Sequence, residues 1–287
     1  MRSFVCGACK LAAVLAVFAT CWAGPISAGE VVELGADPGR PLVIAHRGAS
    51  GIAPENTMAS FEQAVKLGAD LIELDVHGSK DGRVVVIHDA STHRTCRGKL
   101  QGAVADLTLE QLKALDAGAW KGAQFAGERI PTLDEVLASF GGRAVFLIEL
   151  KARGIERKVA QVIRDSGMES SVMLQSFDAE PVRVIHSLLP EVPAGVLYRD
   201  TWVLDSAGRG RRIVEQVREV GASIAGMNVG AVSPGLVKAL KDGGVGVFAW
   251  TADDDWIFRS LIDAGVDAII TNYPERLLQF LGRSAGE

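Results

Sequence analysis

The sequence predicts an α/β protein built as a single (β/α)8 TIM barrel, because short apolar runs alternate with amphipathic stretches through most of its 287 residues. Apolar runs of this kind are typical of parallel strands that are buried on both faces. The length agrees with this fold, since such a barrel typically needs about 250 residues. No Pro/Ser-rich linker or block of like charge divides the chain, so we expect one domain over residues 29–287.

Nine apolar segments have the length expected of strands. They are Leu42–His46, Leu71–Val76, Val84–His88, Ala144–Leu150, Val172–Ser176, Ala194–Tyr198, Ser223–Val229, Val245–Trp250 and Ala268–Thr271. Between the second and the third, Lys80-Asp81-Gly82 is typical of a tight turn, so these two strands are predicted to form a hairpin without a helix. If the hairpin counts as one unit, the segments supply the eight strands of a barrel.

Helices are predicted between most of the strands, and several have recognisable first residues. Thr57–Leu67 and Thr132–Phe140 each open with a threonine, whose side chain can accept a hydrogen bond from a free N–H group of the first turn. Glu135 stands three residues after Thr132, as in a capping box. Pro234 and Pro274 mark two further helix starts, because proline is tolerated in the first turn.

One interval departs from this alternation. From His88 to Pro131 the chain is polar, contains glycine and has helical character only around Thr108–Leu115. We therefore predict a short insertion after the third strand segment, which lies over one mouth of the barrel.

The charge balance argues against a nucleic-acid partner. Lys and Arg together number 30, against 35 Asp and Glu, which gives a net charge of -5. A protein that neutralises a phosphate backbone needs an excess of basic side chains. We therefore expect a small-molecule substrate, and the sequence predicts no particular oligomeric state.

Residues 1–28 have the composition of a secretory signal peptide. Basic residues stand near the start, Asp and Glu are absent, and Leu11–Thr20 is apolar up to its last residue. The run is too short to span a bilayer, so we predict an exported periplasmic or secreted protein, cleaved near Ala28, with no stable membrane span. Lipidation at Cys21 is an alternative, although the preceding threonine fits that signal poorly. Cleavage would leave only Cys96 of the 4 cysteines, which excludes an intramolecular disulfide.

Three carboxylates occupy predicted strand positions where burial without a partner is costly. Glu73 and Asp75 are two residues apart and so share one face of their strand, and Glu149 stands near the end of another with Lys151 two residues beyond. Burial of an unpaired ion costs several kcal/mol, and a bound cation would remove this cost. Oxygen ligands without a thiol indicate one divalent cation, Ca2+ or Mg2+. A buried ion-pair cluster of Glu73, Asp75 and Lys151 is the alternative.

Two histidines favour the metal site. His46 and His88 each end a predicted strand, so they join the three carboxylates at the carboxyl ends of strands, where such barrels place their active sites. Two imidazoles beside a cation suit phosphoryl chemistry. One can take a proton from the attacking oxygen and the other can give a proton to the leaving alkoxide, while Arg47 and the cation offset phosphate charge. The residues alone do not decide which histidine is the acid.

An ordered set of short motifs extends this interpretation. The motifs are His46-Arg47-Gly48, Pro54-Glu55-Asn56-Thr57, Glu73-Leu74-Asp75-Val76, Lys80-Asp81-Gly82, Val86-Ile87-His88-Asp89, Glu149-Leu150-Lys151, Trp250-Thr251 and Thr271-Asn272-Tyr273-Pro274. Together they resemble the glycerophosphodiester phosphodiesterase family, in order and over nearly the whole mature chain. Each motif alone is a weak signal, whereas the ordered set is specific.

The resemblance implies a (β/α)8 barrel, a divalent cation, and hydrolysis of glycerophosphodiesters to glycerol 3-phosphate and an alcohol. It implies that Glu73, Asp75 and Glu149 are the metal ligands, and that Arg47 and Lys151 contact the phosphate.

The mechanism proposed for the family starts with a substrate hydroxyl that attacks phosphorus. His46 would then be the base and His88 the acid, and water would open the resulting cyclic phosphate. Trp250, at a strand end, could cover the glycerol carbons or plug the barrel; we favour the substrate role.

Two departures from the family pattern concern the substrate more than the reaction. Ala90-Ser91-Thr92-His93-Arg94 replaces a Pro-Thr-Leu-Asp-Arg-like run, and Gly78-Ser79 stands where a bulky apolar residue often precedes the turn.

One alternative function is a lysophospholipase D-like phosphodiesterase on a lipid substrate, whose mouth should carry exposed apolar residues. The insertion offers such residues: Leu107, Leu109, Trp120, Phe125 and Ile130. A further alternative is a non-catalytic phosphopolymer-binding barrel, which loss of a ligand carboxylate or of either histidine would support.

Overall fold

The computed structural model describes residues 40–199 and 206–283. The predicted signal peptide at 1–28, with Cys21 and the cleavage site near Ala28, lies outside the described residues. No helix within the described ranges has both the length and the apolar character that a bilayer crossing requires.

The strands form a closed parallel barrel, as the sequence predicts. They are β1 (Leu42–Ala45), β2 (Leu71–Gly78), β3 (Val84–Val86), β4 (Phe146–Leu150), β5 (Val172–Ser176), β6 (Ala194–Tyr198), β7 (Ile224–Asn228), β8 (Gly246–Trp250) and β9 (Ala268–Thr271). The order in the sheet is β1-β9-β8-β7-β6-β5-β4-β2-β3, and parallel pairing of β1 with β2 closes it. Of the strands in the described ranges, only β3 lies outside the barrel, paired antiparallel to β2 through the predicted hairpin.

Helices follow most of the strands and cover the outer surface of the barrel, and one further short helix, Leu109–Lys113, lies in the insertion after β3. They are α1 (Met58–Leu67), α2 (Leu109–Lys113), α3 (Leu133–Phe140), α4 (Glu156–Ser166), α5 (Ala179–Leu188), α6 (Ser206–Glu219), α7 (Pro234–Asp242), α8 (Asp255–Ala264) and α9 (Pro274–Phe280). Thr57 and Thr132 cap α1 and α3 with full capping boxes, and Pro234 and Pro274 stand in the first turns of α7 and α9. The predicted helix starts are therefore confirmed.

Side-chain alternation along the strands divides the barrel interior into two halves. The lower half is a cluster of buried apolar side chains: Leu42, Ile44, Leu71, Leu147, Met173, Ile224, Phe248, Ala268 and Ile270. Two residues beyond members of this cluster, at the carboxyl ends of the strands, stand His46, Glu73, Glu149, Gln175 and Trp250. Because residues i and i+2 share a face, the same alternation that fills the barrel floor also directs these polar groups to the mouth.

The insertion between β3 and α3 is more ordered than its polar composition predicts. Its apolar side chains form a cluster of their own with β3, composed of Val85, Ile87, Cys96, Val104, Leu107, Leu112, Leu115, Ala117 and Ile130. Burial within this cluster raises the pKa of the Cys96 thiol to about 11, so Cys96 acts as a small apolar side chain there. The insertion is thus a packed cap on one side of the mouth.

Candidate active site

A cavity of about 460 Å³ opens at the carboxyl ends of the strands. Its wall is formed by His46, Arg47, Glu73, His88, Asp89, Ala90, Glu149, Lys151, Gln175, Phe177, Leu197, Arg199, Trp250, Thr251 and Ile270. Asp75 is 1% exposed and lies beside this wall, with Oδ2 3.3 Å from Nε of Arg47. The fold therefore brings together every residue that the sequence nominates for the site.

The register between β2 and β4 assembles the carboxylates. Asp75 pairs directly with Glu149, and Glu73 lies two residues earlier on the same face of β2. One oxygen from each of the three lies within 4.8 Å of the others, and all three side chains are buried. Lys151 Nζ donates to Glu149 at 2.7 Å and lies 3.5 Å from Asp75, whereas the only described donor to Glu73 is the backbone N–H of Arg47, at 2.8 Å. Of the predicted ion-pair cluster, Lys151 pairs with Asp75, whereas Glu73 has no ion pair with a described residue.

The electrostatics of this cluster fit a divalent cation. Burial, together with the charges of Asp75 and Glu149, raises the pKa of Glu73 well above its usual value, and burial next to Asp75 raises that of Glu149 to about 7. Although burial opposes it, the charges of Arg47 and Lys151 hold the pKa of Asp75 below its usual value. Asp75 Oδ1 is buried and accepts no hydrogen bond within the described ranges. Three clustered carboxylates, of which Glu73 has no ion pair with a described residue, are suited to a hard cation such as Ca2+ or Mg2+.

We expect the affinity for this cation to weaken as the pH falls below about 7, because Glu149 then holds a proton in the cation-free protein, and the raised pKa of Glu73 acts in the same direction. A carboxyl group must lose its proton before it coordinates a metal, so each displaced proton raises the apparent Kd about tenfold per pH unit below its pKa. Calorimetric titrations with Ca2+ or Mg2+ at about pH 8 and about pH 6 measure this change. A Kd that stays constant between these conditions would contradict it.

The loop after β1 holds Arg47 in contact with the carboxylate cluster. Arg47 has a φ of 56°, in the left-handed region that side chains other than glycine rarely adopt. Its N–H donates to Glu73, and its carbonyl accepts from the N–H of Asn56 and from Oγ of Ser60, both at 3.0 Å. Gly48 follows with a φ of +78°, and a Cβ there would lie 2.4 Å from Ser60 Oγ. These contacts fix the loop so that the Arg47 guanidinium pairs with Glu55 and Asp75 at the mouth.

His46 is oriented by an amide on β9's carboxyl side. Its Nδ1 lies 2.7 Å from Oδ1 of Asn272, whose Nδ2 donates to Asp253 at 2.6 Å. A carboxylate only accepts hydrogen bonds, so Asp253 accepts from the NH2 group of Asn272. The Oδ1 atom of Asn272 therefore faces the histidine. His46 therefore carries its proton on Nδ1, and Nε2 is the basic nitrogen. Burial, with the charge of Arg47, lowers the pKa of His46 to about 4, which keeps the ring neutral at pH 7.

His88 has a charged partner instead. Its Nδ1 lies 2.6 Å from Oδ1 of Asp89. Arg94 donates hydrogen bonds to both oxygens of Asp89, at 2.8 and 2.9 Å, and to both oxygens of Glu55, at 2.7 and 2.8 Å. Burial lowers the pKa of His88, and the negative charge of Asp75 opposes this shift. Nε2 of His88 is thus the nitrogen left for chemistry, and the carboxylate of Asp89 favours the charged ring.

The wall formed by the ends of β5 and β8 carries two aromatic side chains. Phe177 and Trp250 meet edge to face, with ring centroids 5.3 Å apart. The guanidinium carbon of Arg199 lies 3.8 Å from the centroid of the Phe177 ring, and Lys151 Nζ lies 5.8 Å from it. The cavity therefore has one wall of charged side chains and one wall with two aromatic rings, of which Phe177 is stacked against the guanidinium of Arg199.

Comparisons with known proteins agree with this geometry. Residues 46–276 match the Glycerophosphoryl diester phosphodiesterase family. The chain belongs to this family. A glycerophosphodiester phosphodiesterase of Caldanaerobacter subterraneus subsp. tengcongensis is 40% identical over 252 residues, which cover 84% of this chain and 98% of that protein.

Two solved structures of related proteins share the fold. The glycerophosphodiester phosphodiesterase of Agrobacterium tumefaciens is 33% identical, with a TM-score of 0.72 over 85% of this chain and 100% of that one. An Oleispira antarctica phosphodiesterase, solved with the product sn-glycerol-3-phosphate, is 30% identical, with a TM-score of 0.75 over 84% of this chain and 97% of that one. Family membership makes this chain a phosphoric diester hydrolase that acts on glycerophosphodiesters, so the non-catalytic alternative is wrong.

Several residues of this glycerophosphodiester phosphodiesterase site had no role in the sequence analysis. They are Glu55, Asn56, Arg94, Gln175, Phe177, Arg199, Asp253 and Asn272. A signal for some was present: Gln175, Phe177 and Arg199 continue the inward alternation of β5 and β6, and Asn272 stands in a quoted motif. Arg94 and Asp253 lie in loops, where no periodicity indicates the direction of a side chain.

Proposed function

We propose that the chain hydrolyses glycerophosphodiesters to glycerol 3-phosphate and an alcohol, with His46 as the general base and His88 as the general acid of the first step. The observation that carries this assignment is the difference between their Nδ1 partners. His46 meets the neutral amide of Asn272, which leaves an uncharged ring with a free Nε2. His88 meets the carboxylate of Asp89, which stabilises the ring protonated on both nitrogens more than an amide would, although burial keeps the pKa of His88 below its usual value.

In the first step, a hydroxyl of the substrate glycerol attacks phosphorus and gives its proton to Nε2 of His46. The new O–P bond forms while the P–O bond to the alcohol breaks, and His88 gives the proton on its Nε2 to the departing oxygen. This step releases the alcohol and leaves a cyclic phosphate of glycerol.

In the second step, water opens the ring with the roles reversed. His88, now neutral, takes a proton from the water as its oxygen bonds to phosphorus. His46 returns its proton to the glycerol oxygen that leaves phosphorus. Both histidines regain their initial protonation states, and glycerol 3-phosphate is released.

The remaining groups of the charged wall position the phosphate. Arg47 and Lys151 bind its oxygens, and their ion pairs with Asp75 and Glu149 hold them in place. A divalent cation held by Glu73, Asp75 and Glu149 would offset charge on the phosphate oxygens. The product complex of the Oleispira antarctica relative supports glycerol 3-phosphate as the product.

Phosphorus NMR of purified protein with glycerophosphoglycerol tests this function. We expect glycerol 3-phosphate as the final phosphorus-containing product, loss of activity with a chelator, and recovery when Ca2+ or Mg2+ is restored. A chelator-resistant reaction would contradict the cation requirement. Inorganic phosphate as the first product would contradict the diester cleavage.

The hydrogen-bond chain from Asp253 through Asn272 provides a test of the base. Asp253→Asn replaces a carboxylate that only accepts hydrogen bonds with an amide that can also donate, so the orientation of the Asn272 amide is no longer fixed and His46 can lose the proton on Nδ1. We expect kcat to fall about 10–100-fold. In the double variant Asp253→Asn with Asn272→Asp, the new aspartate accepts from His46 Nδ1 and should recover much of that loss. Nitrogen NMR of the His46 ring reports the tautomer directly. An unchanged tautomer and kcat in Asp253→Asn would contradict the role.

The five apolar residues of the insertion that the sequence offers give the lysophospholipase D-like alternative no support, although Leu100 of the same insertion is 48% exposed. Of its five apolar candidates, Leu107 and Ile130 are buried, and Leu109, Trp120 and Phe125 are half-buried. The exposed large apolar side chains of the described residues are Ile52, Leu100 and Trp256. The insertion uses its apolar surface largely for its own packing, which favours a water-soluble diester as the substrate.

A further inference from the structure

We propose that Arg199 selects the alcohol of the substrate by charge, disfavouring quaternary ammonium alcohols such as choline and favouring neutral or anionic ones. This inference rests on the proposed function, and it concerns only which diesters are preferred. The phosphate and the glycerol are common to all glycerophosphodiesters. The charge that varies among substrates is therefore carried by the alcohol. A fixed charge in the cavity wall can distinguish substrates by attracting or repelling the alcohol.

The aromatic wall would otherwise suit choline. Phe177 and Trp250 stand edge to face in the cavity, and aromatic rings attract quaternary ammonium groups through their faces. Here, however, the guanidinium of Arg199 lies 3.8 Å from the centroid of Phe177, and the ammonium of Lys151 lies 5.8 Å from it. The ring already interacts with two cations of the protein. A third positive charge would displace Arg199 or meet its repulsion.

Arg199 is the one charged side chain on the wall formed by β5, β6, β8 and β9 in the described part of the chain. It belongs to no ion pair with a described carboxylate, so its charge is not neutralised by those residues. It is exposed at the carboxyl end of β6. Its field therefore acts on whatever group of the substrate enters this side of the cavity.

The acidic cluster across the cavity does not reverse this preference. Glu149 and Asp75 are paired with Lys151 and Arg47, and the bound cation would compensate the remaining negative charge. Asp89 and Glu55 are joined by Arg94. Among the described residues, an incoming ammonium group thus meets matched charges on one wall and Arg199 without a carboxylate partner on the other.

A pair of substrates with the same shape isolates the charge. Glycerophosphocholine is compared with the diester of 3,3-dimethylbutanol, in which a carbon replaces the nitrogen of choline, and with the diester of 3-hydroxypropanoate as an anionic alcohol. With the wild-type protein we expect kcat/KM for the uncharged isostere to exceed that for choline about tenfold. In Arg199→Gln this ratio should fall by at least about threefold, and the anionic diester should lose the most.

Arg259→Gln is the matched control. Arg259 is exposed on α8, and its guanidinium carbon also lies over a phenylalanine ring, 4.9 Å from the centroid of Phe280, on the outer surface. This change removes the same charge and the same kind of stacking away from the mouth, so the ratio should stay at its wild-type value. If Arg199→Gln folds poorly, the salt dependence of the wild-type ratio serves instead, because screening should bring the ratio toward one.

The outcomes separate this inference from the proposed function. Equal ratios in the wild type and in Arg199→Gln, while the neutral diester is hydrolysed, would overturn the role of Arg199 alone. A wild-type preference for choline over its isostere that does not change with salt would also overturn it. Failure to hydrolyse any of the diesters would overturn the proposed function and the selectivity with it.

Discussion

His88→Ala is expected to lower kcat about 10²–10⁴-fold on diesters of ordinary alcohols, because such alkoxides leave slowly without a proton donor. Diesters of a nitrophenol need no such help, since their leaving group is already a weak base. On these substrates the same variant should lose much less activity. His46→Ala, in contrast, should slow both classes of substrate, because the attacking hydroxyl is the same in each. Steady-state kinetics on the two classes of diester measure the difference.

His93→Ala controls for the loss of a histidine in the same insertion, since His93 is exposed. It should leave kcat near the wild-type value on both substrates. The affinity for the cation should also stay nearly unchanged in His88→Ala, because His88 is outside the carboxylate cluster. An equal loss on good and poor leaving groups would show that His88 does not act as the acid.

Asp75→Asn is expected to reduce cation affinity by more than the roughly 10–100-fold typical of residues that only support a metal ligand. Oδ1 of Asp75 accepts no hydrogen bond from a described residue and lies 3.5 Å from Lys151 Nζ, while Oδ2 accepts from Asn56 at 2.8 Å and lies 3.3 Å from Arg47. The amide keeps the shape but supplies a weaker ligand and no charge. Hydrolysis should fall in parallel, and saturating Ca2+ or Mg2+ should restore only part of it.

Asp242→Asn is the control for the loss of a carboxylate. Asp242 pairs with Lys238 on the surface of α7, far from the cluster in sequence and on the helical layer. Isothermal titration should give the wild-type cation affinity for this variant. If Asp75→Asn also bound the cation with wild-type affinity, the ion would have to lie elsewhere.

Much of the barrel and of its charged wall could be predicted from the sequence, because both follow from the alternation of side chains on strands. Parallel strands place their carboxyl ends at one mouth, so residues at the ends of β1, β2 and β4 had to converge there. The cap residues Thr57 and Thr132 could be located for a similar reason, since capping depends on local sequence.

The contacts that orient the histidines could not be predicted in the same way. Arg94 reaches Glu55 across 39 positions, and Asn272 reaches His46 across 226. Such pairs depend on the paths of loops, which turn geometry and tertiary packing determine. The insertion illustrates the same limit, because its apolar residues lack a helical or strand period and yet form a cluster of their own.

The apolar floor of the barrel has a consequence for engineering. Leu42, Leu71 and Ile224 lie in the lower half of the interior and belong to no reacting group. Repacking at this end can therefore raise heat tolerance without altering turnover, while exchange of the loops at the opposite end can change substrate range without loss of the scaffold. Robustness and specificity are thus separable along the barrel axis, and libraries aimed at each can be built independently.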